Sequence, residues 1–379
     1  MLETSIRRDK SSLRQMISIM PTAITIVFVL VALLTMPGAK RFFAFASVRD
    51  ALAGIKAENI VEMMGWEHPS FGQDLPRDYE KISFTKLALR AATHINFEDE
   101  RSLLGNELPG FTVFDTEIVV AGEGTNYTNV PIESPPPLDY ILERQKEEGA
   151  GVDKSKKTPP RAAAKNAQVF LYSTHSWESY LPLLGKAGAQ NANLATSAKT
   201  NIHLVDEMLK NALAKYGVQA TIDETNISTV LKEKNWGTEK AYNASRPIVQ
   251  QAIAGNHGYL LIIDIHRDSA RKPQTTATIH GHSYARVSIV IGKGNPYSDQ
   301  NELIAKKLNA KMNKDYPGLS KGIFLKSRTE GNGVYNQDLS PHVLLFEIGG
   351  VDNTKEELER TVNALADVLS DYVKNAEKV

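Results

Sequence analysis

The stretch Tyr259-Leu-Leu-Ile-Ile-Asp-Ile-His266 decides how this chain reads. A short, nearly continuous apolar run reads as a buried strand, and this one ends on a residue suited to metal binding and proton transfer. Two further runs repeat the design. Ala167-Gln-Val-Phe-Leu-Tyr-Ser-Thr-His175 ends on a histidine, and Val343-Leu-Leu-Phe-Glu347 on a glutamate. In α/β folds the carboxyl ends of neighbouring buried strands meet at one crevice, where ligand sites form. Three separate strands therefore deliver His175, His266 and Glu347 to one edge, and Glu178, three residues past His175, completes a possible ligand set.

Around these runs, strand-like and helix-like patterns alternate. A helix is predicted from Lys199 to Tyr216, with Ile202, Val205, Met208, Leu209, Ala212, Leu213 and Tyr216 on one face and Gly217 as its stop. Ala220-Thr-Ile222 reads as a strand, and Thr238 to Ala254 as a helix disturbed at Pro247. Arg286-Val-Ser-Ile-Val-Ile-Gly292 is another strand, and Asn301 to Asn313 another helix. The last helix begins at Thr354, with Glu357 placed for a capping box. Residues 166–379 thus predict an α/β domain whose mainly parallel, twisted sheet is flanked by helices.

The rest of the chain is organised differently. From Met16 to Ala39 there is no charged residue, enough apolar length to span about 30 Å of hydrocarbon as a helix. Arg7, Arg8, Lys10 and Arg14 precede it, which suits a cytoplasmic flank over residues 1–15 and a single-pass anchor over 16–39. A cleaved signal peptide is the rival reading, but Thr35-Met-Pro-Gly-Ala-Lys40 is a poor cleavage site. Residues 42–127 read as a small α+β domain with no chemical motif, a spacer or interaction module. Residues 128–165 read as a linker rich in proline and charge, with room for a short helix from Leu138 to Glu147.

Composition excludes several functions. Lys plus Arg is 44 and Asp plus Glu is 44, so no basic footprint points to nucleic acid. With no cysteine there is no disulfide framework, thiolate metal site or cysteine nucleophile. There is no Gly-x-Ser-x-Gly elbow, which argues against a serine hydrolase despite Ser173, Ser176 and Ser269 near the site.

What remains is an activated water. Zinc with three protein ligands and an open position polarises a carbonyl and lowers the pKa of water to about 7. His175, Glu178 and His266 can supply the ligands, and Glu347 can act as general base and acid. Glu347 lies between Phe346 and Ile348, where burying an idle carboxylate would cost several kcal/mol. Asp264 and Asp268 could orient the imidazoles, and Asp268 could replace Glu178 as ligand. His280, in Ile279-His-Gly-His282, could touch substrate, although the glycine marks a turn. His203, His257 and His342 read as structural.

Four longer strings are narrower than this spacing. They are Ser173-Thr-His-Ser-Trp-Glu-Ser-Tyr180, Asp264-Ile-His-Arg-Asp-Ser269, Tyr335-Asn-Gln-Asp-Leu-Ser340 and Leu345-Phe-Glu-Ile-Gly-Gly-Val-Asp-Asn353. Together they resemble the stage II sporulation protein P family of endospore-forming bacteria, over most of Ala167–Val379. Trp177 is a departure, standing where an arginine or asparagine is expected. The resemblance implies a zinc amidase-like fold, with His175 and His266 as zinc ligands and Glu347 as the catalytic glutamate. It implies a peptidoglycan hydrolase of the sporulation septum, cutting the N-acetylmuramoyl-L-alanine amide and also stem-peptide cross-links. It further implies work beside stage II sporulation proteins D, a lytic transglycosylase, and M, at the cell membrane on the mother-cell side. Arg246, Arg267 and Arg271 could then hold stem-peptide carboxylates. A non-catalytic peptidoglycan-binding scaffold and a zinc carboxypeptidase acting on wall peptides are the alternatives. The complete ligand and base set disfavours the first, and the second calls for a dedicated arginine.

Overall fold

The computed structural model describes residues 61–62, 116–131, 135–149, 166–327 and 331–376. The expected anchor at 16–39 and most of the expected domain at 42–127, all but 61–62 and 116–127, lie outside them. Among the described residues, no helix is long and apolar enough to cross a membrane. The chain divides into the units Met1–Leu103 and Leu104–Val379, and apart from 61–62 everything described belongs to the second.

That unit is built on seven strands in the order β1-β8-β7-β9-β4-β2-β3. They are β1 (Glu117–Ala121), β2 (Val169–Tyr172), β3 (Ala220–Ile222), β4 (Leu261–Asp268), β7 (Val287–Gly292), β8 (Ser320–Lys326) and β9 (Val343–Gly350). β5 (Thr276–Ile279) and β6 (His282–Ala285) form a separate hairpin. The helices are α1 (Leu138–Glu147), α2 (His203–Lys215), α3 (Ile227–Glu233), α4 (Ala241–Gly255), α5 (Ser298–Asp315) and α6 (Lys355–Ala376).

β3, β2, β4 and β9 run parallel, as expected, and β7 runs parallel to β8. The two blocks meet antiparallel at β7 and β9, and β1 closes the far edge antiparallel to β8. The connections explain the reversal. Helices cross over between β2, β3 and β4 and between β7 and β8, as parallel neighbours require. Between β4 and β7 stand only a single turn, Lys272–Thr275, and the β5–β6 hairpin, so the chain re-enters the sheet reversed.

Strand alternation sorts the core. Val169, Leu171, Leu261, Ile263, Ile265, Leu344, Phe346 and Ile348 pack with α2, α5 and α6 on one face. Phe170, Tyr172, Ile262 and Val343 pack with Val249 and Ala252 of α4 on the other. With a period of two, Asp264, His266 and Glu347 belong to the α4 face. A bulge then shifts β9 against β4 between His266 and Asp268. There Gly349 takes φ 67°, and a Cβ would come within 2.5 Å of Asn353 Oδ1.

Several local expectations are met. Gly217 ends α2 with φ 78°. Thr354 N donates to Glu357 Oε2 at 2.9 Å and Glu357 N to Thr354 Oγ1 at 3.4 Å, which is the capping box. α2 starts later than its periodicity predicts because Ser197 Oγ accepts from the amides of Lys199 and Thr200, and Asn201 Oδ1 from that of His203. Such local bonds hold the backbone in a turn. The segment expected to divide between the N-terminal region and the linker contributes β1 to the sheet and buries Val130 and Ile141.

Candidate metal centre

His175 follows the carboxyl end of β2, and a turn closed by Glu178 N to the His175 carbonyl (2.9 Å) folds Glu178 back beside it. His266 lies in the next strand, β4, and pairs across to Glu347 in β9. Adjacent carboxyl ends thus bring the four side chains together.

Nδ1 of His175 and Nδ1 of His266 are 3.2 Å apart. Glu178 Oε1 lies 3.5 Å from His175 Nδ1, and its Oε2 lies 3.8 Å from His266 Nδ1. Bonds of about 2.0–2.1 Å in tetrahedral array place ligand atoms about 3.3 Å apart, so this donor set fits zinc. Among the described residues it is the one group of three or more histidine or acidic side chains close enough to share an ion.

Support comes from behind. Asp264 Oδ1 sits 3.0 Å from His266 Nε2 and accepts from Thr174 N at 2.8 Å, while its Oδ2 accepts from Thr174 Oγ1 at 2.6 Å. A carboxylate on the far nitrogen fixes which ring nitrogen faces a metal. Trp177 stacks on His175 at 5.1 Å between ring centres. Tyr242 of α4 meets His175 edge-on at 5.6 Å and stacks on His266 at 6.1 Å, with Tyr335 edge-on against it at 5.3 Å.

Electrostatics in the chain alone suit a cation site. Burial raises the Glu178 carboxyl, but Arg267, His175 and His266 outweigh that and bring it down to about 2. Burial lowers His266, yet Asp264, Glu178 and Glu347 push it up to about 10. Burial drives Glu347 up to about 8, opposed by His266 and assisted by Glu178 and Asp268. Glu347 Oε2 is buried with no hydrogen-bond partner among the described residues.

The other expected participants fall elsewhere. Asp268 does not orient an imidazole, because its Oδ2 is held at 2.6 Å by Lys321, both side chains being 2% exposed. Its Oδ1 accepts from Ala270 N, so it is no substitute ligand. Arg267 is buried, with Nε on the Ser179 carbonyl and Nη2 on that of Ala195, while its backbone amide donates to Glu178 Oε2. Arg271 pairs with Asp352 and bonds the carbonyls of Ala189 and Gln190. Arg246 makes a two-pronged pair with Asp338. All three arginines are thus engaged inside the chain. His280 stands exposed at φ 50° in the β5–β6 turn with Gly281 at φ 79°.

Sequence reasoning missed the aromatic surround and the loop that sets it. Tyr335 and Asn336 both take left-handed φ, 54° and 56°, which is strained for a tyrosine. Asn336 Nδ2 then donates to the Tyr242 carbonyl and to Ser245 Oγ, tying this loop to α4. The string Tyr335–Ser340 was visible, but its backbone state was not.

The family model for stage II sporulation protein P matches residues 98–370. The chain is 43% identical over 371 residues to stage II sporulation protein P of Bacillus subtilis (strain 168), covering 94% of this chain and 90% of that protein. Among solved structures, a crystal structure assigned to an N-acetylmuramoyl-L-alanine amidase of Neisseria meningitidis aligns at 13% identity and TM-score 0.29, over 55% of this chain and 96% of that one. Cwp6 from Clostridium difficile aligns at 10% identity and TM-score 0.30, over 54% of this chain and 29% of that one.

Proposed function

Because this chain belongs to the stage II sporulation protein P family, we propose that it is a zinc-dependent peptidoglycan hydrolase of sporulation. Its bond is the N-acetylmuramoyl-L-alanine amide, and stem-peptide cross-links are a second target. The observation that carries this reading is the convergence of His175, Glu178 and His266 within ligand distance, with Glu347 directly opposite His266.

In this reading His175, Glu178 and His266 hold the metal. The chemistry that zinc supplies when bound is polarisation of a carbonyl and activation of water near neutral pH. Everything else falls to the chain. Glu347, with its unsatisfied Oε2, takes the proton of the attacking water and passes it to the leaving amine nitrogen as the C–N bond breaks. Asp264 holds Nε2 of His266, so that Nδ1 stays turned to the cluster. Trp177 and Tyr242 flank His175 and limit its ring rotation.

Residues 16–39 serve as a single-pass membrane anchor, the part of 42–127 that precedes β1 as an extracytoplasmic spacer, and the hydrolase unit works on the mother-cell face of the septum. Its partners there are peptidoglycan and, by family likeness, stage II sporulation proteins D and M.

The test is zinc content and muropeptide release by the purified full chain, beside His175→Ala. The expected result is about one zinc per chain, as three ligands imply, with products carrying a free L-alanine amine. A chain that binds no zinc and releases nothing, even with a transglycosylase added, overturns the reading in favour of a scaffold.

A further inference from the structure

The turn that carries the ligands rests on a part of the chain that precedes β2, β4 and β9. Helix α1 packs Ile141 into an apolar cluster with Trp177, Ile227, Leu231, Ala241 and Ala244. Gln145 Nε2 donates to Ser228 Oγ of α3, and Ile227 N at the start of α3 donates to Ser176 Oγ at 2.9 Å, between His175 and Glu178. At the end of α1, Glu148 Oε2 accepts from Ser197 Oγ and from Ala198 N, both at 2.9 Å, and Lys199 Nζ donates to the Glu148 carbonyl.

The loop held by Glu148 is bonded directly to the ligand turn. Ser197 N donates to the Trp177 carbonyl at 3.0 Å, Ser179 N donates to the Ala195 carbonyl at 3.0 Å, and Thr196 bridges Glu178. The same loop supplies the Ala195 carbonyl to Arg267, whose own amide holds Glu178 Oε2. Two routes therefore run from α1 to the site: Ile141 through Trp177 to the His175 ring, and Glu148 through residues 195–198 to Glu178.

We propose that residues 138–148 form a positioning arm of the metal centre, with Ile141 and Glu148 as its positioning residues. The arm orders the His175–Ser179 turn. It rests on the metal-site reading only for its effect on ions, since its effect on the turn is independent of that reading. The hydrolase unit accordingly includes α1, and separating the arm from residues 166–379 disorders the ligands.

The experiment compares full-length wild type, Glu148→Ala and Glu148→Gln, because a glutamine oxygen can still accept from Ser197 and Ala198. Hydrogen exchange is followed by mass spectrometry in peptides covering 175–181 and 195–200, with α5 as the remote control. Cobalt(II) alone is titrated by its visible absorption as the probe of ligand geometry. The expected result for Glu148→Ala is faster exchange at Glu178, Ser179 and Ser197 with α5 unchanged, and cobalt affinity weaker by about tenfold or more, the usual loss when a supporting group is removed. Glu148→Gln restores both. Unchanged exchange in the turn overturns the proposal, and so does a loss spread equally to α5. If wild type takes up no cobalt while the exchange pattern holds, the arm stands and the metal reading falls.

Discussion

His266 and Glu347 face one another directly across the parallel pair β4 and β9, on the sheet face covered by α4. Neither residue depends on a flexible loop for its place. A candidate ligand and a candidate base are therefore held at fixed separation by the sheet hydrogen bonds, and the bulge beyond them ends that pairing without disturbing it.

The first consequence separates metal binding from chemistry. Glu347→Gln keeps zinc, since Glu347 is not in the ligand group, but loses about 10²–10⁴-fold in muropeptide release. Metal analysis beside product chromatography checks this. Loss of zinc in this variant makes Glu347 a ligand instead.

A second consequence concerns protons. With its pKa pushed up to about 10 by Asp264, Glu178 and Glu347 against the effect of burial, His266 is protonated at neutral pH in the chain alone. A metal takes only the neutral ring, so zinc uptake at pH 7 releases a proton and apparent affinity climbs as pH rises toward 10. Calorimetry in two buffers of different ionisation enthalpy measures the release. Uptake without proton release contradicts the raised pKa.

Asp264 offers a third test. Asp264→Asn keeps an acceptor for Thr174 but weakens the charge on His266 Nε2, and metal affinity falls by about 10–100-fold. Competition with a chelator of known affinity gives the number. Unchanged affinity would mean that Thr174, not His266, is what Asp264 serves.

The buried pair Lys321–Asp268 should behave as structure. Asp268→Asn leaves a buried ammonium without its counter-charge and costs about 3–5 kcal/mol, while Asp268→Leu with Lys321→Met recovers much of that. Denaturant unfolding of the three forms shows whether the pair is structural.

The capping box sets a pH dependence of stability. Burial raises the Glu357 carboxyl, but its bonds to Lys272, the Thr354 amide and Asn353 prevail and hold it below the usual range. With the folded pKa lowered, its contribution is complete above the ordinary carboxylate pKa and disappears as pH falls through the lowered value. Glu357→Gln therefore narrows its deficit against wild type on acidification. A deficit that is constant from pH 7 to pH 3 would exclude this role.

Local features were legible because their causes lie within a few residues. The runs ending at His175, His266 and Glu347, the stop at Gly217 and the box Thr354–Glu357 all rest on periodicity or on side chains bonding nearby amides. The weak motif His175-x-x-Glu178 was legible for the same reason, since one turn joins its two ends. Asp268 misled because its neighbour His266 shares its strand but its partner Lys321 comes from β8. Arg267 and Arg271 misled similarly, their carbonyl partners lying in loops far along the chain.

By itself the sequence determined that the runs ending at His175, His266 and Glu347 are buried strands and which residue types their carboxyl ends carry, whereas the interior strand β8 was not read from it. Apolar runs and residue types are properties of the chain read locally. Tertiary structure alone decided that β7 meets β9 antiparallel, that β1 and α1 belong to the same unit as the site strands, and that Tyr242, with Tyr335 against it, packs on the histidines. Those outcomes depend on which distant surfaces close on one another, and neighbours in sequence do not encode that choice.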